Sequence, residues 1–247
     1  MRGWIVGLLM GLALVCKGRA QEYTGITGMV HVPTAEMAPE GDARIGGSFL
    51  NGEFLPDMLK LDGEKYHTFN YYLAITPFSW IELAYVETLL KSHKYDDPTE
   101  KVGYYMKDRH FAVKVRPLKE GKYWPAVAIG VQDPSNSVSY ENGADFTYVK
   151  NYYIAATKHW RPGGHELGFH LTYRHYRSDH NRKWNGLVGG VTYRPAFATN
   201  CRAMVEYTGN DVNVGIDCLL WKHLFIQAVL QNGKYFSGGL RFEMNLF

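Results

Sequence analysis

Between Cys201 and Cys218 the chain reads as one β-hairpin whose two faces follow from counting alone. With Gly209-Asn210 as a two-residue turn, Thr208 lies opposite Asp211 and every later cross-strand pair is fixed. Cys201, Ala203, Val205 and Tyr207 then share a face with Val212, Val214, Ile216 and Cys218. Arg202, Met204, Glu206 and Thr208 share the other with Asp211, Asn213, Gly215 and Asp217, so that Arg202 faces Asp217 and Glu206 faces Asn213. Alternation this strict requires a sheet that separates two environments, one apolar and one polar.

The same pattern recurs upstream. Ile45 and Phe49 alternate with Arg44 and Ser48, Phe69 to Ile75 with Asn70, Tyr72 and Ala74, and Ile81, Leu83 and Tyr85 with Glu82 and Ala84. Phe111, Val113 and Val115 alternate with His110, Lys114 and Arg116, and Leu167 to Tyr173 with Glu166, His170 and Arg174. The final strand sets Leu240, Phe242 and Met244 against Arg241 and Glu243, whereas Tyr148 to His159 is strand-like without a clear face. Counting such segments gives about twelve strands. Their connections fall into two sets: long ones at Asn51–Glu64, Leu89–Met106 and Asp133–Thr147, and mostly tight ones at Thr76-Pro77-Phe78, Arg161-Pro162-Gly163, Pro195–Asn200 and Trp221-Lys222. Trp80, Trp124, Trp160, Trp184, Tyr193 and Trp221 fall near strand ends, where an interfacial girdle belongs.

These features predict an all-β, transmembrane antiparallel barrel with both termini at the periplasmic end. A secreted β-sandwich also alternates, but its strands are commonly shorter and its polar face is open to water. Here the polar faces are rich in Gly and Ala, as a crowded barrel interior requires. Closure also removes the unpaired strand edges that lipid does not tolerate.

The ends of the domain are read separately. Arg2, the apolar run Trp4–Val15 and Gly18-Arg19-Ala20 form a secretory signal over residues 1–20, with Cys16 a weak lipidation candidate because Val15 precedes it. Residues 21–41 are an irregular lead-in, and 42–247 are the barrel. The signal holds Arg2, Lys17 and Arg19, so its removal brings the formal charge from +3 to 0. A neutral chain argues against a nucleic-acid partner, for which a basic stripe is expected. Phe247 is an aromatic terminus of the kind found on outer-membrane strands, although Met244 and Leu246 hold the outward register. Cys201 and Cys218 face each other at a non-hydrogen-bonded pair, where Cα atoms approach to about 4.5 Å, and an oxidising compartment favours a disulfide between them.

Two groups of residues carry a resemblance. Thr24-Gly25-Ile26-Thr27-Gly28, Val32-Pro33-Thr34-Ala35 and Pro39-Glu40-Gly41 open the chain, and Trp184–Pro195, Val205-Glu206-Tyr207, Asn213-Val214-Gly215 and Asn232–Leu240 lie near its end. Together they resemble the YjbH-like outer-membrane proteins of bacterial exopolysaccharide operons. The resemblance implies a non-catalytic barrel serving exopolysaccharide or capsule production, with outer-membrane lipid, polysaccharide and other proteins of such operons as partners. The motif positions it marks in the lead-in are Gly25, Gly28, Pro33, Thr34, Ala35 and Gly41. It assigns no oligomeric state.

The inward positions are the candidate lumen lining: Tyr72, Glu82, His110, Lys114, Arg116, Glu166, His170, Arg174, Arg202, Glu206, Asp217, Arg241 and Glu243. They mix both signs, which argues against a strongly ion-selective pore, and they either neutralise one another or meet a sugar polymer. Gly25, Gly28 and Pro33 give residues 21–41 a fixed irregular path, expected to occlude the periplasmic mouth. Two chemical alternatives are weaker. His175-Tyr176-Arg177-Ser178-Asp179-His180-Asn181 gathers Ser, His and Asp in a predicted loop, without the spacing of an outer-membrane phospholipase. His165, His170 and His175 are five apart and alternate faces on a strand, which does not build a metal site. No Walker loop, dinucleotide fingerprint or Cys-x-x-Cys is present, so no cofactor is expected. A general small-solute porin and a lipid-modifying hydrolase remain the alternative functions.

Overall fold

The computed structural model describes residues 21–134, 149–177 and 179–247. The predicted signal with Cys16, most of the Asp133–Thr147 connection, and Ser178 lie outside these residues. Within them the chain forms twelve strands: β1 (Asp42–Leu50), β2 (Thr68–Phe78), β3 (Ile81–His93), β4 (Val102–Leu118), β5 (Ala126–Gln132) and β6 (Asn151–Trp160), followed by β7 (Glu166–Tyr176), β8 (Gly186–Arg194), β9 (Cys201–Tyr207), β10 (Val212–Leu220), β11 (Leu224–Gln231) and β12 (Tyr235–Asn245). Each strand pairs antiparallel with its neighbours, and β12 returns to β1 from Asp42↔Asn245 to Phe49↔Gly238, closing the barrel. No edge strand is left within the wall.

The register of β9 and β10 is the one counted from the turn, from Val212↔Tyr207 to Cys218↔Cys201. Cys201 and Cys218 are joined by a disulfide, their Cα atoms 4.1 Å apart. The faces also separate as the alternation requires. Ile45, Leu73, Leu171, Ile216 and Leu240 are more than half exposed on the outside, while Tyr72, Ala74, Glu82 and Glu206 are buried on the inside. β6, ambiguous in sequence, resolves with Tyr152 and Ile154 outward and Tyr153, Ala155 and Thr157 inward. A continuous apolar exterior of this extent is unfavourable in water and is satisfied by hydrocarbon.

Large inward rings are accommodated by glycine on the adjacent strand. Tyr72 is paired with Gly46, and Tyr153 with Gly130; a Cβ at either glycine would collide with the tyrosine ring. The small inward residues thus create room for side chains packed across the wall.

Three expectations change. The connection expected at Leu89–Met106 is mostly strand, because pairing resumes beyond a bulge at Leu90/Ser92 and continues through Ser92↔Gly103 and His93↔Val102. Of those four residues only Val102 is apolar, so the hydrophobic alternation fades while the backbone ladder persists. The Thr76-Pro77-Phe78 turn belongs to β2, with Pro77 tolerated at the irregularity between Ile75 and Phe78. Trp184 is not part of a girdle. Trp80, Trp124, Trp160 and Trp221 are exposed, but Trp184 is buried at the end of a short 3-10 turn, Asp179–Trp184, that folds into the barrel.

Both the start of β1 and the end of β12 lie at the end of the barrel carrying the turns near Ser79, Gly163, Ala198 and Lys222. At the opposite end the β1–β2 connection folds over the opening. Phe54 there joins a buried cluster with Tyr23, Val30, Leu50, Met204 and Val229.

Candidate functional site

The lumen is occupied by the chain's own N-terminal segment. Every residue from Gln21 to Ala38 is buried. The segment reverses twice, through antiparallel bridges Gln21↔Thr27 and Gly28↔Pro33, before it leaves at the short-turn end and enters β1. Gly25 takes a φ of +84° and lies against the Tyr72 side chain, so a bulkier residue there meets both backbone strain and the wall. Gly41, with φ +80°, makes the exit turn, its N–H donating to Thr76 O at 2.8 Å. The segment therefore fills the interior and is not confined to the mouth.

Side chains of the wall hold this segment mainly by its backbone. Glu82 on β3 is fully buried and accepts from Thr27 N (3.0 Å), Thr27 Oγ1 (2.5 Å) and Ala38 N (2.6 Å). Lys114 on β4 lies 3.0 Å from Glu82 and donates to the carbonyls of Thr27 and Glu36, each at 2.6 Å. Arg44 on β1 completes the group, 3.5 Å from Glu82 and donating to Thr27 Oγ1 at 3.0 Å. A buried carboxylate is tolerable only when paired and hydrogen-bonded, and these partners meet that condition. Opposite charges on β1, β3 and β4 thus meet at the plug.

A second clamp grips the other bend. Glu206 on β9 accepts from His31 N (3.0 Å), Val32 N (3.1 Å) and Asn213 Nδ2 (2.6 Å). Arg174 on β7 donates to His31 O at 2.6 Å, Thr208 O at 3.2 Å and Trp184 O at 3.3 Å. The His31 ring packs between Tyr23 and Trp184, with centroids 5.6 and 5.0 Å away. Glu206 thus satisfies two backbone N–H groups and Arg174 a backbone carbonyl at one reversal, which water cannot reach.

A third set fixes the descending limb. Thr172 Oγ1 donates to Pro33 O at 2.6 Å, and Ala35 N donates to Thr157 Oγ1 at 3.0 Å. Glu36 lies 3.0 Å from Arg202, which is itself 3.2 Å from Asp217 on the neighbouring strand. His159 Nε2 approaches Glu36 at 3.3 Å, while its Nδ1 approaches Glu120 at 2.6 Å in the β4–β5 connection. Arg241 contacts Gln21 and Glu243 and covers the Phe225 ring at 3.9 Å.

Of the thirteen lumen candidates, Glu82, Lys114, Arg174, Arg202, Glu206 and Arg241 contact the plug through hydrogen bonds or ion pairs, and Tyr72 packs against Gly25. Asp217 and Glu243 act one step back, through Arg202 and Arg241. His170 bridges Thr157 and Thr192 at 3.0 and 3.1 Å, and His110 is buried 3.6 Å from Asp108. Arg116 and Glu166 sit at the short-turn mouth, where Arg116 donates to Ser79 O and Glu166 pairs with Arg161. The motif residues are the plug itself: Gly25, Gly28, Pro33, Thr34 and Ala35 are buried within it and Gly41 closes it.

The chemical alternatives do not converge. His170 points inward, His175 is exposed on the outer face of β7, and His165 hydrogen-bonds Tyr193 Oη at 2.8 Å. Among the described residues no three metal-ligating side chains meet. His175 and Tyr176 are strand residues rather than loop, and Asp179 begins a 3-10 turn. Sequence reasoning placed Arg44 and Thr172 inward without selecting them and missed Thr27, His31, Glu36, Thr157 and His159. The available signal was the inward parity of Arg44 and Thr172, whereas the strand that holds Thr157 and His159 shows no clear face in the sequence.

Together these features define a closed twelve-strand β-barrel with an apolar exterior and a lumen filled by its own leading segment. A family model described as "Exopolysaccharide biosynthesis protein YbjH" matches residues 20–185, which include the whole plug. The chain belongs to this YjbH family. It is 25% identical over 243 residues to "Uncharacterized lipoprotein YjbH" of Escherichia coli (strain K12). That match covers 83% of this chain and 31% of the relative, so the chain spans about a third of the relative's length. Outer membrane phospholipase A from Escherichia coli is similar at a TM-score of 0.37 and 10% identity, covering 85% of this chain and 98% of that one. The lipoprotein relative and the apolar exterior are both consistent with a membrane location.

Proposed function

We propose that this chain is a non-catalytic outer-membrane barrel that serves exopolysaccharide production as a closed component, an assembly partner of the production or export machinery rather than an open conduit. The observation that carries the reading is the use of the inner wall: Glu82, Lys114, Arg174, Arg202 and Glu206 are engaged with the chain's own backbone and side chains. Groups arranged to pass a solute need to exchange partners easily, whereas these are desolvated and fixed. Family membership supports the link to exopolysaccharide.

The filled lumen disfavours a general small-solute porin. A lipid-modifying hydrolase is disfavoured because His175, the histidine of the Ser/His/Asp stretch nearest a strand, faces outward without a described carboxylate partner. Deleting the gene and quantifying secreted polymer tests the proposal. Polymer output falls on this account and returns with the intact gene; unchanged output contradicts it.

A further inference from the structure

The outward face of the barrel is apolar at nearly every strand position, and the exceptions gather in one place. On β3 and β4, toward the end opposite the short turns, Glu87, Lys91, Lys107 and Arg109 occupy outward positions. Among the described residues, outward positions of the other strands hold no Lys or Arg apart from Lys158, which turns back onto Glu120. Glu87 is 3.3 Å from Lys107 and 3.0 Å from Arg109, so one carboxylate serves two cations. Lys91 lies over the Tyr104 ring at 4.1 Å and has no ion pair among the described residues. The cluster therefore sets three cations against a single carboxylate.

Its height on the wall is that of a membrane surface. From Arg109 to Leu118, where β4 ends beside the exposed Trp80, the strand rises about 30 Å, or about 23 Å along the barrel axis at a tilt of about 40°. The apolar band of such barrels is about 25 Å tall, so the cluster stands at the interface opposite the Trp80 and Trp124 girdle. Next to it a shallow groove of about 810 Å³ crosses the outer face from β4 to β12. It runs between two register rows, Tyr85, Leu73 and Ile45 on one side and Leu83, Ile75 and Ala43 on the other. Tyr85 and Phe111, with rings 5.3 Å apart, form the outward pair adjacent to Glu87↔Arg109. At a strand spacing of about 4.8 Å the groove is about 19 Å long. One leaflet holds about 15 Å of hydrocarbon, so an obliquely laid acyl chain matches it.

We infer that this face binds a phosphate-bearing membrane lipid of the leaflet at that end, its phosphate held by Lys91, Lys107 and Arg109 and an acyl chain laid in the groove. A guanidinium meets phosphate oxygens in two-point geometry, and the two ammonium groups add charge from the neighbouring positions. Glu87 holds Lys107 and Arg109 together in the absence of the ligand without cancelling them. Cations and groove share β3 and β4, one register row apart. That continuity fits an amphiphile whose anionic head is joined to its chain, and not an acidic protein segment. The inference rests on the membrane-barrel reading above and goes beyond it by placing one lipid at named residues.

The test is native mass spectrometry of the full chain, purified lipid-free in dodecyl maltoside and titrated with dioleoyl phosphatidic acid, dioleoyl phosphatidylcholine and glycerol 3-phosphate. Phosphatidic acid is expected to bind saturably and about tenfold more tightly than phosphatidylcholine, and glycerol 3-phosphate not to be retained. Combining Lys107→Gln with Arg109→Gln is expected to weaken phosphatidic acid binding by about tenfold while the heat-modifiable barrel band persists. Glu87→Gln, which frees both cations from their shared carboxylate, is expected to tighten it by about threefold, a gain that a damaged barrel does not produce. Equal binding of phosphatidylcholine, uptake of lipid without saturation, an unaffected double variant, or weaker binding by Glu87→Gln overturns the inference. So does retention of glycerol 3-phosphate, which marks a small-anion site. Preference for a polyglutamate peptide over phosphatidic acid assigns the cluster to a protein partner and likewise overturns it. The two readings fail separately: recovery of the native chain from a detergent-free aqueous extract removes the membrane reading, while a detergent-extracted barrel without preference for phosphatidic acid removes only this site.

Discussion

The outer and inner faces of this barrel come from the same strands but hold together by different rules. Outside, Leu73, Leu171 and Ile216 need only be apolar, because hydrocarbon adapts to any such side chain. Inside, Glu82, Lys114 and Arg44 must have their particular charges and reach, since each is desolvated against a partner. The wall is specified by its backbone ladders, the plug by side chains. Tolerance to substitution is therefore expected on one face and not on the other.

The strongest way to break this contrast is Glu82→Ala. It leaves Lys114 buried without its carboxylate and Arg44 with Asp42 alone, 3.3 Å away, a change of about 3–5 kcal/mol. Limited proteolysis should then cut within residues 21–38 while the barrel remains intact; protection equal to the parent would refute the clamp. Next is Leu73→Arg, at mid-strand on the outer face, expected to cost about 2–4 kcal/mol of barrel stability, whereas Leu73→Val should cost less than about 1 kcal/mol. Urea unfolding in bilayers separates the two, and equal tolerance of Arg and Val would show that this face does not meet lipid.

Opening the disulfide with Cys201→Ala and Cys218→Ala ranks third. A loop of this size is worth about 3 kcal/mol by chain entropy, but the β9–β10 ladder already fixes the register, so the loss in urea unfolding should fall below that figure. The smallest effect concerns the mouth. Burial tends to raise the Glu120 carboxyl, yet hydrogen bonds from His159 and the nearby Lys158 prevail and hold it below the ordinary carboxylate range. A depressed acid contributes stability above its unfolded value of 4.5 and loses it as pH falls through the folded one. Hydrogen exchange at residues 119–125 should therefore quicken below that value, and Glu120→Gln should remove the dependence.

How much of this was legible follows the same division. Period-two alternation is local, so the Cys201–Cys218 hairpin, its register and the outward faces could be read from adjacent residues. The polar continuation of β3 and β4 could not, because Ser92↔Gly103 carries no hydrophobic signal. The inward charges were visible, but their partners were not. Thr27 meets Glu82 across 55 residues and His31 meets Glu206 across 175, and no local pattern encodes such pairings. Trp184 near a strand end looked like an interfacial anchor because sequence does not show that its turn folds inward to meet His31. The glycines and proline at residues 25, 28 and 33 did indicate a fixed path, although not its depth.

Single-channel conductance in planar bilayers, comparing the intact protein with one lacking residues 21–38, tests the plug most directly. The intact barrel should remain closed, and the deletion should give discrete conducting steps from a barrel that still shows its heat-modifiable band. Equal conductance of the two proteins, whether both open or both closed, would contradict a lumen filled by this segment.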